Sequence, residues 1–244
     1  MQACDGCTAA QVLPLTPNVT VLQIEYICID IELLQMLSCV PLLRHVGVQR
    51  MDCTMWESVA PQTLQALRSL PMSITWRPLE LCLVQPHALS IVQEVCAAFD
   101  GTPLAQAVSK LVLHNWEADP PIAALRASFP NVLHFVLAFC PLSMASSLNE
   151  AIAAWPMLQS ISLVYAGVNI LLAVQQHYVE AAARMAAGLS AGQPFEMLLQ
   201  IYNVYEGDAA RMDVLVSAIH NAGGGKVDVR WEQILPKTRA LLGT

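Results

Sequence analysis

Charge is the first thing this sequence is short of. Asp, Glu, Lys and Arg make up 13% of its 244 residues, about half of the roughly 25% usual in a globular domain. The 12 Lys and Arg stand singly among 19 Asp and Glu, for a formal net charge of −7. No basic stripe exists to neutralise phosphates, which excludes nucleic acid as the expected partner. Long apolar runs are missing too. The longest, ISLVYAGVNILLAV at 161–174, contains Asn169 and falls short of the ~20 residues that span a bilayer, so no membrane span is expected. The opening MQACDGCTAAQVLPL has neither the basic residues and continuous apolar core of a secretory signal nor the arginines of a transit peptide. The expected location is cytoplasmic, in a reducing compartment. There the eight cysteines read as small buried hydrophobes rather than as disulfides.

Chemical signatures are equally thin. The six histidines, at 45, 87, 114, 134, 177 and 220, form no H-x-x-x-H or H-x-E grouping. The Cys-x-x-Cys pair of CDGC, Cys4 and Cys7, has no second pair to complete a zinc set. No metal site and no cofactor are expected. GLSAG at 188–192 fits G-x-S-x-G, whose serine works on a turn leading from a strand into a helix. Here the helical VQQHYVEAAARMAA precedes Ser190 and the strand-like PFEMLLQIYNV follows it, so the order is reversed. A loop is the favoured reading, and an α/β hydrolase using Ser190 is the enzyme alternative. AGGGKVD at 222–228 lacks the Lys-Ser/Thr of a phosphate loop and precedes a strand; it reads as a turn.

What is present is apolar and periodic. Hydrophobic residues are 55% and mean hydropathy is +0.49, enough for a sizeable core. FPNVLHFVLAFC at 129–140 echoes TPNVTVLQIEYI at 16–27, and both follow the spacing L-x-x-L-x-L-x-x-N/C. The spacing recurs with Leu43, Val46, Val48 and Met51 in PLLRHVGVQRM, and with Trp76, Leu79, Leu81 and Val84 in WRPLELCLV. It recurs again with Val108, Leu111, Leu113 and Trp116 in VSKLVLHNW, and with Leu158, Ile161, Leu163 and Ala166 in LQSISLVYA. Looser copies surround Leu199 and Ile201, then Val227 and Val229, making about eight units. In a strand the fourth and sixth motif positions share one face. Between these strands, helical spacing is expected over 30–38, 54–70, 87–99, 121–129, 143–155, 169–189, 208–221 and 232–242. An apolar residue followed by proline closes several helices: Val40-Pro41, Leu70-Pro71, Phe129-Pro130 and Trp155-Pro156. One strand and one helix cannot bury their apolar sides alone, so the copies must stack.

These segments resemble the leucine-rich repeat family, in the intracellular helix-bearing kinds found in ribonuclease-inhibitor-like proteins and F-box adaptors. The resemblance covers about 16–235 and is strongest in the units beginning at Val19, Leu43, Val132 and Leu158. It implies an α/β solenoid of about eight irregular repeats, with a curved parallel sheet inside and helices outside. Residues 1–15 would form an N-terminal cap or be disordered, 16–235 the repeat domain and 236–244 a C-terminal helix end or tail. Two departures make the repeats irregular. The fourth-position residues, from Leu22 to Val227, are 24 to 38 residues apart, and asparagine is absent from the ninth position, so the usual side-chain ladder is missing or replaced. A doubly wound α/β sheet is the competing fold.

The resemblance implies that the sheet face away from the helices carries the function. In the motif frame its outward residues include Tyr26, Arg50, Leu83, Asn115, Phe139, Tyr165 and Trp231, with His114 and Tyr202 beside them. A stripe of aromatics with few charges suits the centre of a protein interface. The expected function is a non-enzymatic scaffold or adaptor that binds a protein partner there. A structural subunit of a larger assembly is the alternative, and the protein's own loops covering the stripe is the bland reading.

Overall fold

Strands form where apolar residues alternate, and helices form where they recur on one face. The structure, a computed structural model, describes residues 2–3, 18–29, 31–54, 60–84, 89–116, 119–140, 147–168, 172, 175–188, 195–205 and 207–234. The chain divides into two units, Met1–Leu158 and Gln159–Thr244. The first holds strands β1 (Gln2–Ala3), β2 (Val21–Cys28), β3 (His45–Thr54), β4 (Thr75–Trp76), β5 (Leu79–Val84), β6 (Val108–His114) and β7 (His134–Ala138). Its helices are α1 (Ile31–Cys39), α2 (Pro61–Arg68), α3 (Leu89–Phe99), α4 (Pro103–Ala107), α5 (Ile122–Ser128) and α6 (Ser147–Ala154). The second unit runs β8 (Ser160–Gly167), α7 (Gln175–Gly188), β9 (Phe195–Asn203), α8 (Asp208–Ala222) and β10 (Val227–Gln233).

In the first unit β1, β2, β3, β5, β6 and β7 lie side by side in chain order, all parallel, with β4 also on β3. In the second, β8, β9 and β10 do the same. Parallel strands joined by right-handed crossovers, in an order that never reverses, receive all their helices on one face. A doubly wound sheet needs a reversal, and neither unit contains one among the described strands.

The proline signals act as expected. Helices α1, α5 and α6 end at Cys39, Ser128 and Ala154, two residues before Pro41, Pro130 and Pro156. Pro41 and Pro156 take the second place of turns closed by Leu43 N–H on Val40 O at 3.2 Å and Leu158 N–H on Trp155 O at 3.0 Å. Arg126 and Trp155 satisfy carbonyls that these helix ends leave open. Arg126 Nε donates to Ala154 O, and Trp155 Nε1 to Phe129 O, each at 2.8 Å. Phe99 meets Phe129 edge-on at 5.1 Å, and the Trp155 ring lies 5.6 Å from Phe135. Beneath them Leu81, Leu83, Leu111, Leu113, Phe135 and Leu137 are all but inaccessible. AGGGKVD is a turn: Gly224 and Gly225, at φ 56° and 75°, take the left-handed backbone that glycine adopts without steric cost.

The register corrects the repeat frame. Leu22 pairs with Val46 and Ile24 with Val48, as the spacing predicts. Val46, however, pairs with Trp76 through β4, and the far half of β3 pairs with β5, Met51 against Leu81 and Cys53 against Leu83. Leu81 continues onto Leu111 and Phe135, Leu83 onto Leu113 and Leu137. Counted from β6 and β7, the fourth and sixth places of that rung are thus Leu81 and Leu83, two residues later than the motif frame put them; counted from β3 the frame is off by three, since Val46 meets Trp76 in place of Leu79. Leu83, expected outside, is fully buried. The cause is the length of β3. Its ten residues meet two short strands in turn, β4 at the start and β5 at the end, with Arg77 and Pro78 between them. In the second unit Ile161 pairs with Met197 and Met197 with Val229, where Leu199 and Val227 were expected. Slips of two, as between β8 and β9, or of four, as between β9 and β10, leave every side chain on its face, so alternation alone does not reveal them.

Other boundaries moved as well. Thr54 ends β3, and α2 begins at Pro61 rather than at 54. The helix expected over 232–242 does not begin at 232, because Glu232 and Gln233 belong to β10; 235–244 lies outside the described residues. The ladder lacking asparagine is replaced at two rungs. Trp116, just past β6, donates Nε1–H to Leu83 O at 2.9 Å, and Cys140, just past β7, places Sγ 3.4 Å from Leu113 O. Leu83 and Leu113 are paired in register, so two unlike side chains serve successive copies of one carbonyl. No helix among the described residues is long and apolar enough to cross a membrane.

Trp116→Phe keeps most of the ring but leaves the buried Leu83 carbonyl without its donor. It is expected to cost about 1–3 kcal/mol, measured as a lowered urea midpoint with an unchanged slope.

Candidate functional site

In the first unit one register line crosses five strands, through Tyr26, Arg50, Glu80, Lys110 and His134. Each is followed by a buried residue, Ile27, Met51, Leu81, Leu111 or Phe135. Alternation along a strand therefore turns the polar five to the face away from that core. The next line on the same face holds Cys28, Asp52, Cys82, Val112 and Val136, and beyond it lie Val84, His114 and Ala138.

The polar line is closely bonded. Tyr26 OH donates to Asp52 Oδ2 at 2.8 Å and lies 3.3 Å from Cys28 Sγ. Arg50 Nε donates to Asp52 Oδ1 at 2.8 Å, and its Nη1 lies 3.4 Å from Glu80 Oε1. Lys110 Nζ lies 2.7 Å from Glu80 Oε2. The Arg50 and Lys110 side chains are 44% and 41% exposed, against 12% for Asp52 and 18% for Glu80, so the acids sit beneath the cations. The bond to Cys28, then burial, then Asp52 hold the Tyr26 hydroxyl well above its ordinary pKa, so it stays a neutral donor. Exposed ion pairs are worth about 0–1 kcal/mol each; the row is held by the sheet and adds little to its stability.

Where β6 and β7 end, Asn115 and Phe139 both enter left-handed backbone, at φ 54° and 55°. Asn115 N–H donates to Ala138 O at 2.9 Å. For phenylalanine this conformation costs roughly 1–2 kcal/mol and is held by its surroundings. The ring packs edge-on against His114, with centroids 5.4 Å apart. His114 Nδ1 is buried and has no hydrogen-bond partner among the described residues.

The structure thus brings together Tyr26 and Arg50, through Asp52, and separately His114, Asn115 and Phe139. It corrects two of the residues expected outside. Tyr165 shares the face of Ile161 and Leu163, is 2% exposed and accepts a hydrogen bond from the Tyr178 hydroxyl of α7 at 3.1 Å. Trp231 shares the face of Val227 and Val229, and its Nε1 donates to Asp213 of α8 at 3.0 Å. In both cases a polar group on the following or preceding helix meets the aromatic's polar tip and draws it to the helix side. Tyr202, next to buried Ile201, is half-buried on the other face of β9. Asp52, Glu80, Lys110 and His134 were missed. The signal was present as polar residues at intervals of 24, 30, 30 and 24 from Tyr26 through His134, but the outward set was read at the eighth place of each copy, and the row passes from that place in β2 and β3 to the third place in β6 and β7. Ser190, Cys4 and Cys7 lie outside the described residues. No group of metal-ligating side chains able to hold an ion occurs among the described residues.

Of the six described cysteines, all free, Cys53, Cys82, Cys96 and Cys140 are buried, whereas Cys28 and Cys39 are exposed, against the expectation of burial. Burial pushes Cys53 and Cys82 up to about 12, and Cys96 and Cys140 up to about 11. Neither the comparison with known protein families nor that with curated proteins returns a match.

Burial foremost, and then the Arg50 charge, lower the His114 pKa below its ordinary 6.5, with Asp52 opposing. The folded state therefore favours the neutral ring, and below about pH 6.5 the unfolded chain binds more protons. The stabilisation is full above that pH and is lost as pH falls through and below it. His114→Gln is expected to flatten the fall in urea midpoint between about pH 7.5 and 5.5; an unaltered slope assigns that fall to other groups. Brief iodoacetamide treatment near neutral pH should alkylate Cys28 and Cys39 ahead of Cys53, Cys82, Cys96 and Cys140, read by peptide mass spectrometry.

Proposed function

We propose that this chain is a non-enzymatic protein-binding scaffold, built as an irregular leucine-rich-repeat solenoid, that holds a partner on the helix-free sheet face of its first unit. The observation that carries this reading is the single register line of polar side chains crossing five parallel strands. All-parallel sheets ordinarily have both faces covered, and strands ordered along the chain leave one face without helices. An array of side chains in fixed register offers many weak contacts over a broad area, which suits recognition of a surface. Tyr26, 41% exposed at one end of the row, and Phe139, half-buried beyond it, are the aromatic anchors.

Peptides selected on the purified chain from a random display library should include a class that binds this face. Combined Tyr26→Ala and Phe139→Ala substitution is expected to weaken that class by about tenfold or more, with Val214→Ala, exposed on α8, as the control. If every selected binder keeps its affinity for the double variant, and thermal denaturation shows that variant folded, the scaffold reading is wrong.

A further inference from the structure

We infer that the partner segment held on this face is acidic, with carboxylates that meet Arg50 and Lys110. The inference rests on the scaffold reading and adds the chemistry of what is bound. It follows from which hydrogen-bonding capacity in the polar row is already used. Both oxygens of Asp52 are taken, Oδ1 by Arg50 Nε and Oδ2 by the Tyr26 hydroxyl. Both oxygens of Glu80 are taken, Oε1 by Arg50 and Oε2 by Lys110.

The cations differ from these acids in how far they reach solvent. A guanidinium has five N–H donors and an ammonium three. Lys110 directs one toward Glu80, and Arg50 directs its donors toward Asp52 and Glu80 from a side chain that remains 44% exposed. The acids lie lower, at 12% and 18% exposure, and act as struts that fix the two cations in place. A partner approaching the row therefore meets exposed donors with positive charge, while the acceptors lie below them, largely covered and already hydrogen-bonded. Acceptor-rich anionic groups fit that surface, and a second set of cations does not.

Spacing narrows the partner further. Arg50 and Lys110 stand on strands to either side of β5, so their backbones are roughly 10 Å apart. A peptide laid across the strands with two carboxylates on one side spans that distance. Because the struts hold both cations before binding, little side-chain freedom remains to be lost.

The test uses the full chain and a fluorescein-labelled peptide of four glutamates alternating with glycine, beside its glutamine counterpart, read by fluorescence anisotropy at low and high salt. The glutamate peptide is expected to bind about tenfold or more tightly than the glutamine one, and to weaken with salt. Lys110→Gln and Arg50→Gln should each remove most of that difference, while Arg184→Gln, exposed on α7, should not. Lys110→Gln gives up only the contact to Glu80, so it remains informative should Arg50→Gln disturb the fold. Equal binding of the two peptides, or a preference that survives Lys110→Gln, overturns the inference. Face-dependent peptides from the display selection that lack carboxylates overturn it while leaving the scaffold reading in place. Absence of any face-dependent binder removes both.

Discussion

The stack of Met51, Leu81, Leu111 and Phe135, one apolar residue per strand in a single register line, is what the rest of the first unit depends on. Strand geometry couples the two faces of a sheet: once these four stack inward, Arg50, Glu80, Lys110 and His134 must line up outward one residue earlier. A slip of two between β3 and β5 would keep the faces correct but set Pro78 opposite Arg50 in place of Glu80. The ion pairs would be lost, and a residue without an N–H would enter the ladder. Core packing therefore decides the chemistry of the opposite surface.

That surface is unusual for this chain. Charged residues are few overall, yet four of them converge on adjacent strands around one spot. Exposed pairs of this kind contribute little to folding, so their arrangement is a matter of positioning more than of stability. The turns past β6 and β7 tell a similar story. Trp116 and Cys140 perform the carbonyl-satisfying task with an indole and a thiol. The next residue back in each turn, Asn115 or Phe139, accepts left-handed backbone as the chain leaves the strand.

Much of the architecture was legible. Alternating strands and helices, the prolines that close α1, α5 and α6 and the lack of asparagine at the ninth place all follow from short-range signals; the strand order, which a doubly wound sheet would have reversed, came only with the structure. The candidate surface was legible in part: Tyr26, Arg50, His114, Asn115 and Phe139 were found. Glu80 was hidden by the misplaced frame at Leu79, and Asp52 and Lys110 because only the eighth place of each copy was read as outward, whereas they stand at the tenth and third. Tyr165 and Trp231 were placed outside because the motif frame turns the residue near the end of each strand outward. Their partners, Tyr178 and Asp213, sit on helices 13 and 18 residues away, and nothing local announces the pairing.

By itself, then, the sequence determined which segments are strands and helices and which residues have the apolar character of a core, because those properties arise from neighbours within a few positions. Only the tertiary structure decided which residues stand opposite one another. Registers two residues apart are equivalent to local pattern and differ only in long-range packing, here in whether Leu79 or Leu81 of β5 stands opposite Leu111 of β6. The row from Tyr26 to His134 exists because packing resolved that choice.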